Sequence, residues 1–141
     1  LVSGGFSCVI NDEIKNKKDI KKIIMCSGKV YYDLKKRRDE EGLKNIAIVR
    51  IEQLYPFPYD DLEEILTKYE NVQEYIWCQE EPLNQGAWFS HRHRIQRVLD
   101  RLDKSYEVKL VSRPPAAAPA VGLMKLHLQQ QEALIKEAID K

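Results

Sequence analysis

Short, wholly apolar runs alternate along this chain with longer stretches of helical period. Ile23-Ile24-Met25-Cys26 lies between Lys21-Lys22 and Ser27-Gly28 and predicts a strand buried on both faces. From Lys29 to Glu41 the period turns helical. Val30 and Leu34 share a face there, and Lys35, Lys36, Arg37, Arg38 and Asp39 fall on the polar side. Ile46-Ala47-Ile48-Val49 predicts a second buried strand. Pro56 and Pro58 then break the chain, and Pro58 can open a helix because its missing N–H costs nothing there. Leu62, Ile65, Leu66 and Tyr69 follow at i, i+3, i+4 and i+7, the clearest amphipathic pattern in the sequence. A third strand is predicted at Tyr75-Ile76-Trp77-Cys78, a helix from Gly86 to Leu102, and a fourth strand from Val108 to Val111. The Pro- and Ala-rich stretch from Arg113 to Pro119 cannot be helical throughout, and a last helix is predicted over Leu123–Ile139.

Strand and helix therefore alternate four times over short connections. That order predicts an α/β domain spanning residues 21–141, with three layers, α/β/α, around a mostly parallel sheet. Residues 1–20 fit this alternation less well. Phe6–Ile10 is apolar enough to add a fifth strand at a sheet edge, and Lys15–Lys22 reads as a solvated charged connection.

With 141 residues the chain is long enough for one buried core, and 43% hydrophobic against 32% charged residues suits a globular protein. Twenty-three Lys plus Arg against 22 Asp plus Glu leave a net charge of +1, so no basic excess points to nucleic acid. No apolar run approaches the ~20 residues that span a bilayer. Cys8, Cys26 and Cys78 show neither metal nor disulfide spacing. The last two sit inside apolar runs and are expected to be buried thiols in a reducing compartment. The opening Leu1 in place of methionine, and the small residues up to Gly5, suggest a piece of a longer protein, with any targeting signal in the missing N-terminal part.

A parallel sheet gathers the C-terminal ends of its strands along one edge, where ligands bind. The rim so predicted receives Ser27, Gly28 and Lys29, then Arg50 and Glu52, then Gln79, Glu80 and Glu81, and finally Arg113. Ser27-Gly28-Lys29 could present helix-start N–H groups to an anion. The reading the residues favour is Ser27 as a helix cap, with Gly28 permitting close helix–sheet packing. Arg50 and Arg113 could grip a phosphate or balance Glu52, Glu80 and Glu81 in an ion-pair network, and the network is favoured. Glu80 and Glu81, being neighbours on an extended segment, point to opposite sides and do not make an acid–base pair. His91 and His93 fall at i and i+2 of a helix between arginines, which predicts a solvated face rather than metal ligands. His127 is expected to pack or cap, and Gln129-Gln130-Gln131 forms a helical polar face. Trp77 and Trp88 are candidates for a protein–protein surface. No catalytic residue and no metal site is assigned.

Four longer phrases carry a resemblance. Met25-Cys26-Ser27-Gly28-Lys29-Val30-Tyr31-Tyr32-Asp33-Leu34, Ile48-Val49-Arg50-Ile51-Glu52-Gln53-Leu54-Tyr55-Pro56-Phe57-Pro58 and Trp77-Cys78-Gln79-Glu80-Glu81-Pro82-Leu83-Asn84-Gln85-Gly86-Ala87-Trp88 come first. Arg113-Pro114 with Ala118-Pro119-Ala120-Val121-Gly122, His127 and Gln129-Gln130-Gln131 completes them. In this order and spacing they resemble the C-terminal region of the thiamine-diphosphate-dependent (E1) component of the 2-oxoglutarate dehydrogenase family, from about Lys21 onward. Pro115-Ala116-Ala117 departs from the small hydroxylated residues that many relatives carry. The resemblance implies a transketolase C-terminal-domain-like fold within a homodimer. It also implies an enzyme of the tricarboxylic acid cycle that decarboxylates 2-oxoglutarate on thiamine diphosphate with magnesium. The succinyl group would then pass to the lipoyl arm of a dihydrolipoyl succinyltransferase partner. Cofactor and principal catalytic histidines would belong to domains absent from this chain, leaving it dimerisation and scaffolding. The location implied is cytoplasmic in a bacterium and the mitochondrial matrix in a eukaryote. An acyl-CoA or nucleotide effector at Ser27, Lys29, Arg50, Glu80 and Arg113 is the alternative reading.

Overall fold

A computed structural model describes residues 9–12, 14–82, 86–102, 106–113 and 124–140, with side chains of the last segment from 128 onward. In chain order the elements are β1 (Val9–Ile10), a single 3-10 turn (Lys17–Asp19), β2 (Lys22–Cys26), α1 (Val30–Glu40), β3 (Ile46–Ile51), α2 (Tyr59–Thr67), β4 (Glu74–Pro82), α3 (Trp88–Arg101), β5 (Val108–Arg113) and α4 (Met124–Asp140). The sheet runs β1-β3-β2-β4-β5. Its four long strands are parallel, and β1 pairs antiparallel with β3 at the edge, Val9 opposite Ile51 and Ile10 opposite Arg50. The three-layer α/β fold with a mostly parallel sheet is the one expected, edge strand included. Cys8 and most of the proposed Phe6–Ile10 strand lie outside the described residues, as do residues 114–123 with their Pro- and Ala-rich sequence.

Alternate side chains of the strands feed two cores. Ile23, Met25, Ala47, Val49, Tyr75 and Trp77 point to one side and pack under α2 and α3. There they meet Leu62, Leu66, Trp88, Ile95 and Leu99. Ile24, Cys26, Ile46, Ile48, Ile76 and Cys78 point to the other side and pack under α1 and α4, against Val30, Leu34, Leu134 and Ile135. The continuous apolar runs arise because these strands are covered on both faces.

Local chemistry sets the helix ends. Gly42 has φ +65°, its N–H donates to the Asp39 carbonyl at 3.2 Å, and the Leu43 N–H donates to the Arg38 carbonyl at 3.1 Å. That double bond pattern closes α1, and a side chain at position 42 would be strained. Pro58 stands one residue before α2, whose first turn carries Asp60 and Asp61 at the positive end of the helix dipole.

Four sequence readings change. Ser27 does not cap α1: the capping position is Lys29, and no side chain bonds the helix start. Gly28 is present for its φ of +81° rather than for close packing, since an added Cβ would meet nothing within 4 Å. Arg38 does not lie on the polar side. It follows Val30 and Leu34 at four-residue steps onto the buried face, where it pairs with Asp12; the two side chains are 8% and 5% exposed. Asp12 also accepts the Ile48 N–H at 2.9 Å, so the segment before residue 21 is clamped to the domain. The Lys15–Lys22 connection is likewise not wholly solvated. Ile20 is buried, and Lys22 sends its ammonium to the carbonyls of Ala138 and Ile139 at 3.1 and 2.9 Å, the last turn of α4.

Candidate functional site

The parallel register puts Cys26 beside both Arg50 and Cys78, and Cys78 beside Val111, so the ends of β2 to β5 form one edge. The rim residues do converge on that edge, but the pleat divides them between its two sides. Arg50 and Arg113 lie on the α1–α4 side. The Arg50 guanidinium pairs with Glu52 and sits over the Tyr31 and Tyr32 rings at 4.6 and 5.4 Å. Arg113 donates to Gln131 of α4, which in turn donates to Asp33 of α1 at 2.8 Å. The two arginines stand on β3 and β5 with β2 and β4 between them. At ~4.8 Å per strand their backbones are about 14 Å apart, and each guanidinium is turned to partners of its own, Glu52 and Gln131. Lys29 is exposed and Ser27 half-buried.

On the other side of the rim the organising residue is Gln79, which is buried. Its Oε1 accepts Trp77 Nε1–H at 3.0 Å and the Trp88 N–H at 3.3 Å, and its Nε2 donates to the carbonyls of Glu81 and Pro82 at 3.2 and 3.0 Å. A Cβ on Gly86 would come within 2.9 Å of the Gln79 amide, and φ is +76° there, so glycine is required. Glu80 is half-buried and Glu81 exposed, consistent with alternation along the strand. Trp77 and Trp88 do not form a surface patch. They are 2% and 8% exposed, with both rings inside the core under α3. The aromatic–glutamine phrase that suggested an interface is an internal hydrogen-bond centre.

His91 also departs from the solvated face assigned to it. It is half-buried, its ring stacks on Phe57 at 5.8 Å, and its two nitrogens lie 3.2 Å from the Ala87 carbonyl and 3.0 Å from the Leu54 carbonyl. A neutral imidazole can donate to one of these only. The ring ties the Leu54–Pro58 loop to α3, while His93 is exposed. The side chain of His127 lies outside the described residues. Gln131 works as the bridge named above, and Gln129 is exposed.

Cys26 and Cys78 face each other across β2 and β4 and are both free and buried. Burial pushes both thiols up, Cys78 to about 12, with the charge of Glu80 adding to it. Thiols so held are poor nucleophiles. Among the described residues no three His, Cys, Asp or Glu side chains gather to hold a metal ion. With the two arginines apart and internally partnered, these residues do not fit a diphosphate–magnesium site. No described helix is long and apolar enough to cross a membrane.

Arg38, Asp12 and Lys22 are the buried polar residues sequence reasoning missed, and Gln79, placed on the rim, was not read as its hydrogen-bond centre. For Arg38 a signal existed: its spacing from Val30 and Leu34 continues the apolar stripe.

Comparison with known proteins bears on the whole chain. The family described as 2-oxoglutarate dehydrogenase C-terminal matches residues 1–139, including the segment before Lys21. The 2-oxoglutarate dehydrogenase E1 component of Haemophilus influenzae is 48% identical over 141 residues, 99% of this chain and 15% of that protein. That of Coxiella burnetii is 53% identical over 125 residues, 87% of this chain and 13% of that protein. The mitochondrial 2-oxoglutarate dehydrogenase of Schizosaccharomyces pombe is 40% identical over 140 residues, 96% of this chain and 14% of that protein. The chain thus spans about 15% of the length of such relatives. The family match over residues 1–139 and the identities of 40–53% agree: this chain belongs to the 2-oxoglutarate dehydrogenase C-terminal family.

Proposed function

We propose that this chain is the scaffolding and dimerising C-terminal domain of an enzyme that decarboxylates 2-oxoglutarate on thiamine diphosphate and magnesium. The enzyme passes the succinyl group to the lipoyl arm of a dihydrolipoyl succinyltransferase. Cofactor and metal are held by other domains of the longer polypeptide, and two such polypeptides form a homodimer. The compartment is the cytoplasm in a bacterium and the mitochondrial matrix in a eukaryote.

The observation that carries this reading is the 48% identity over the whole chain to a named E1 component. The geometry supports a structural role within it. The two rim arginines are spent on internal contacts, Arg50 on Glu52 and two tyrosine rings, Arg113 on Gln131. Such contacts hold strand-end loops in fixed positions, as the wall of a neighbouring active site requires.

The test compares two preparations. The longer polypeptide, supplied with thiamine diphosphate and magnesium, is expected to release carbon dioxide from 2-oxoglutarate. The 141-residue chain is expected to show neither turnover nor calorimetric heat with the cofactor. Turnover by the short chain, or none by the long one, would overturn the proposal.

A further inference from the structure

Charge is distributed differently on the two helical layers. On α1 opposite charges interleave and pair along the helix, Lys35 with Asp39 at 3.1 Å and Arg37 with Glu41. In the other layer charge is sorted by helix. α2 carries Asp60, Asp61, Glu63 and Glu64 and no cation, while α3 beside it carries Arg92, Arg94, Arg97 and Arg101 against Asp100 alone. Among the described residues one cation bridges the two helices: Arg101 reaches Glu63 at 3.0 Å and Asp60 at 3.6 Å. Arg92 and Arg97 instead lie over the Trp88 and Tyr59 rings, each at 5.8 Å, and Arg94 approaches the Tyr59 hydroxyl at 3.4 Å. No carboxylate among the described residues meets those three, and no cation meets Asp61 or Glu64.

Two large rings stand at the same end of this layer. Phe89, in the first turn of α3, is 63% exposed, and Tyr55, on the loop that His91 ties to α3, is 87% exposed. Exposed aromatics next to arginine are the usual anchors of a protein contact.

The sorting of charge identifies the occupant. An acidic partner covering the layer would meet like charge at α2, and a basic one would meet it at α3. A face with an acidic helix beside a basic one is complementary to itself under a two-fold rotation, which sets each α2 against the other copy's α3. We propose that the α2–α3 face is a contact between two copies of this chain. Asp61 and Glu64 of one copy pair there with Arg92 and Arg97 of the other, and Phe89 and Tyr55 supply the apolar anchors. The assignment rests on the homodimer of the preceding section and names its surface. Helices of nine and 14 residues make a small contact. It falls below the ~800 Å2 per partner of a standard interface, so the association is weak and salt-sensitive.

Sedimentation equilibrium of the full 141-residue chain tests this. The chain is expected to dimerise, less tightly at high salt. The double variant Asp61→Lys/Glu64→Lys removes the acidic excess of α2 and faces the other copy's arginines with cations, and Arg92→Glu/Arg97→Glu turns α3 from basic to acidic. Each alone is expected to self-associate at least about tenfold more weakly, while their equimolar mixture dimerises at least as well as the original. Recovery in the mixture also shows that both variants are folded. The proposal is overturned by an original chain that stays monomeric at about 1 mM, by either variant dimerising unchanged, or by a mixture that does not recover. A longer polypeptide that is active and dimeric while this chain is monomeric would sink the contact alone. An inactive longer polypeptide would sink the function and leave the contact standing.

Discussion

Under α1 and α4 the buried side chains are aliphatic or thiol, and polar clamps join the layer together: Arg38 to Asp12, Lys22 to the end of α4, Arg37 to Glu132, and Arg113 through Gln131 to Asp33. Under α2 and α3 the core holds Phe57, Tyr69, Tyr75, Trp77 and Trp88, and most of the helix charges point outward. Large rings fill the space between sheet and helices and fix most of their separation by packing, with Gln79 bonding two of them in place. Smaller side chains leave position less determined, and hydrogen bonds to charged groups supply direction instead. One layer thus spends its charges internally, and the other keeps them available for a neighbour.

The sharpest way to break this contrast is to remove a clamp. Asp12→Ala leaves Arg38 buried with only the exposed Asp39 carboxylate as counter-charge, takes the acceptor from the Ile48 N–H, and is expected to cost about 3 kcal/mol in denaturant unfolding. The same truncation of Arg97 on the opposite layer should cost under ~0.5 kcal/mol. Equal losses would show that the two layers do not differ as described.

Alkaline titration separates the two cores next. Burial raises Tyr69 and Tyr75 from 10.0 to about 12, and Cys78 from 9.0 to about 12. In each case the folded state holds the proton more tightly than the unfolded chain does. The stabilisation is therefore complete below the unfolded value and is lost as pH rises through the folded one. Stability should begin to fall near pH 9 because of the thiols and more steeply from pH 10 because of the tyrosines, by about 2–3 kcal/mol per ring. Tyr69→Phe and Tyr75→Phe should flatten the loss above pH 10, and Cys78→Ala should delay its onset. Thermal melts across pH 8–11.5 with each variant provide the check, and unchanged slopes would refute the assignment.

A smaller effect tests the glutamine centre. Gln79→Leu strands Trp77 Nε1–H and the Trp88 N–H without acceptors and should cost about 1–3 kcal/mol, with a shift in tryptophan emission. An unaltered spectrum would mean that the amide does not organise the rings. Smallest is Glu132→Ala, which removes one exposed partner of Arg37 and should change stability by under ~0.5 kcal/mol.

The pattern of apolar residues was sufficient to read the alternation of elements, the parallel sheet and the two-sided burial. A four-residue run such as Ile46-Ala47-Ile48-Val49 has few other stable environments. The rim was legible for the same reason, since the ends of parallel strands must share an edge. Which rim residues meet was not legible. Arg50 and Arg113 are both at strand ends, and their separation depends on the order β3-β2-β4-β5, which a list of strands does not contain.

Residue types alone determined the helix ends at Gly42 and Pro58, where the backbone preference of one residue dominates its surroundings. They also determined that Cys26 and Cys78 would be buried. Only the tertiary structure decided the fate of the polar groups. Arg38 and Asp12 lie 26 positions apart, and Lys22 and Ile139 117 apart. A charge is held in the interior only where its counterpart is brought to it, and that meeting is a property of the assembled fold rather than of either residue's neighbours in the chain.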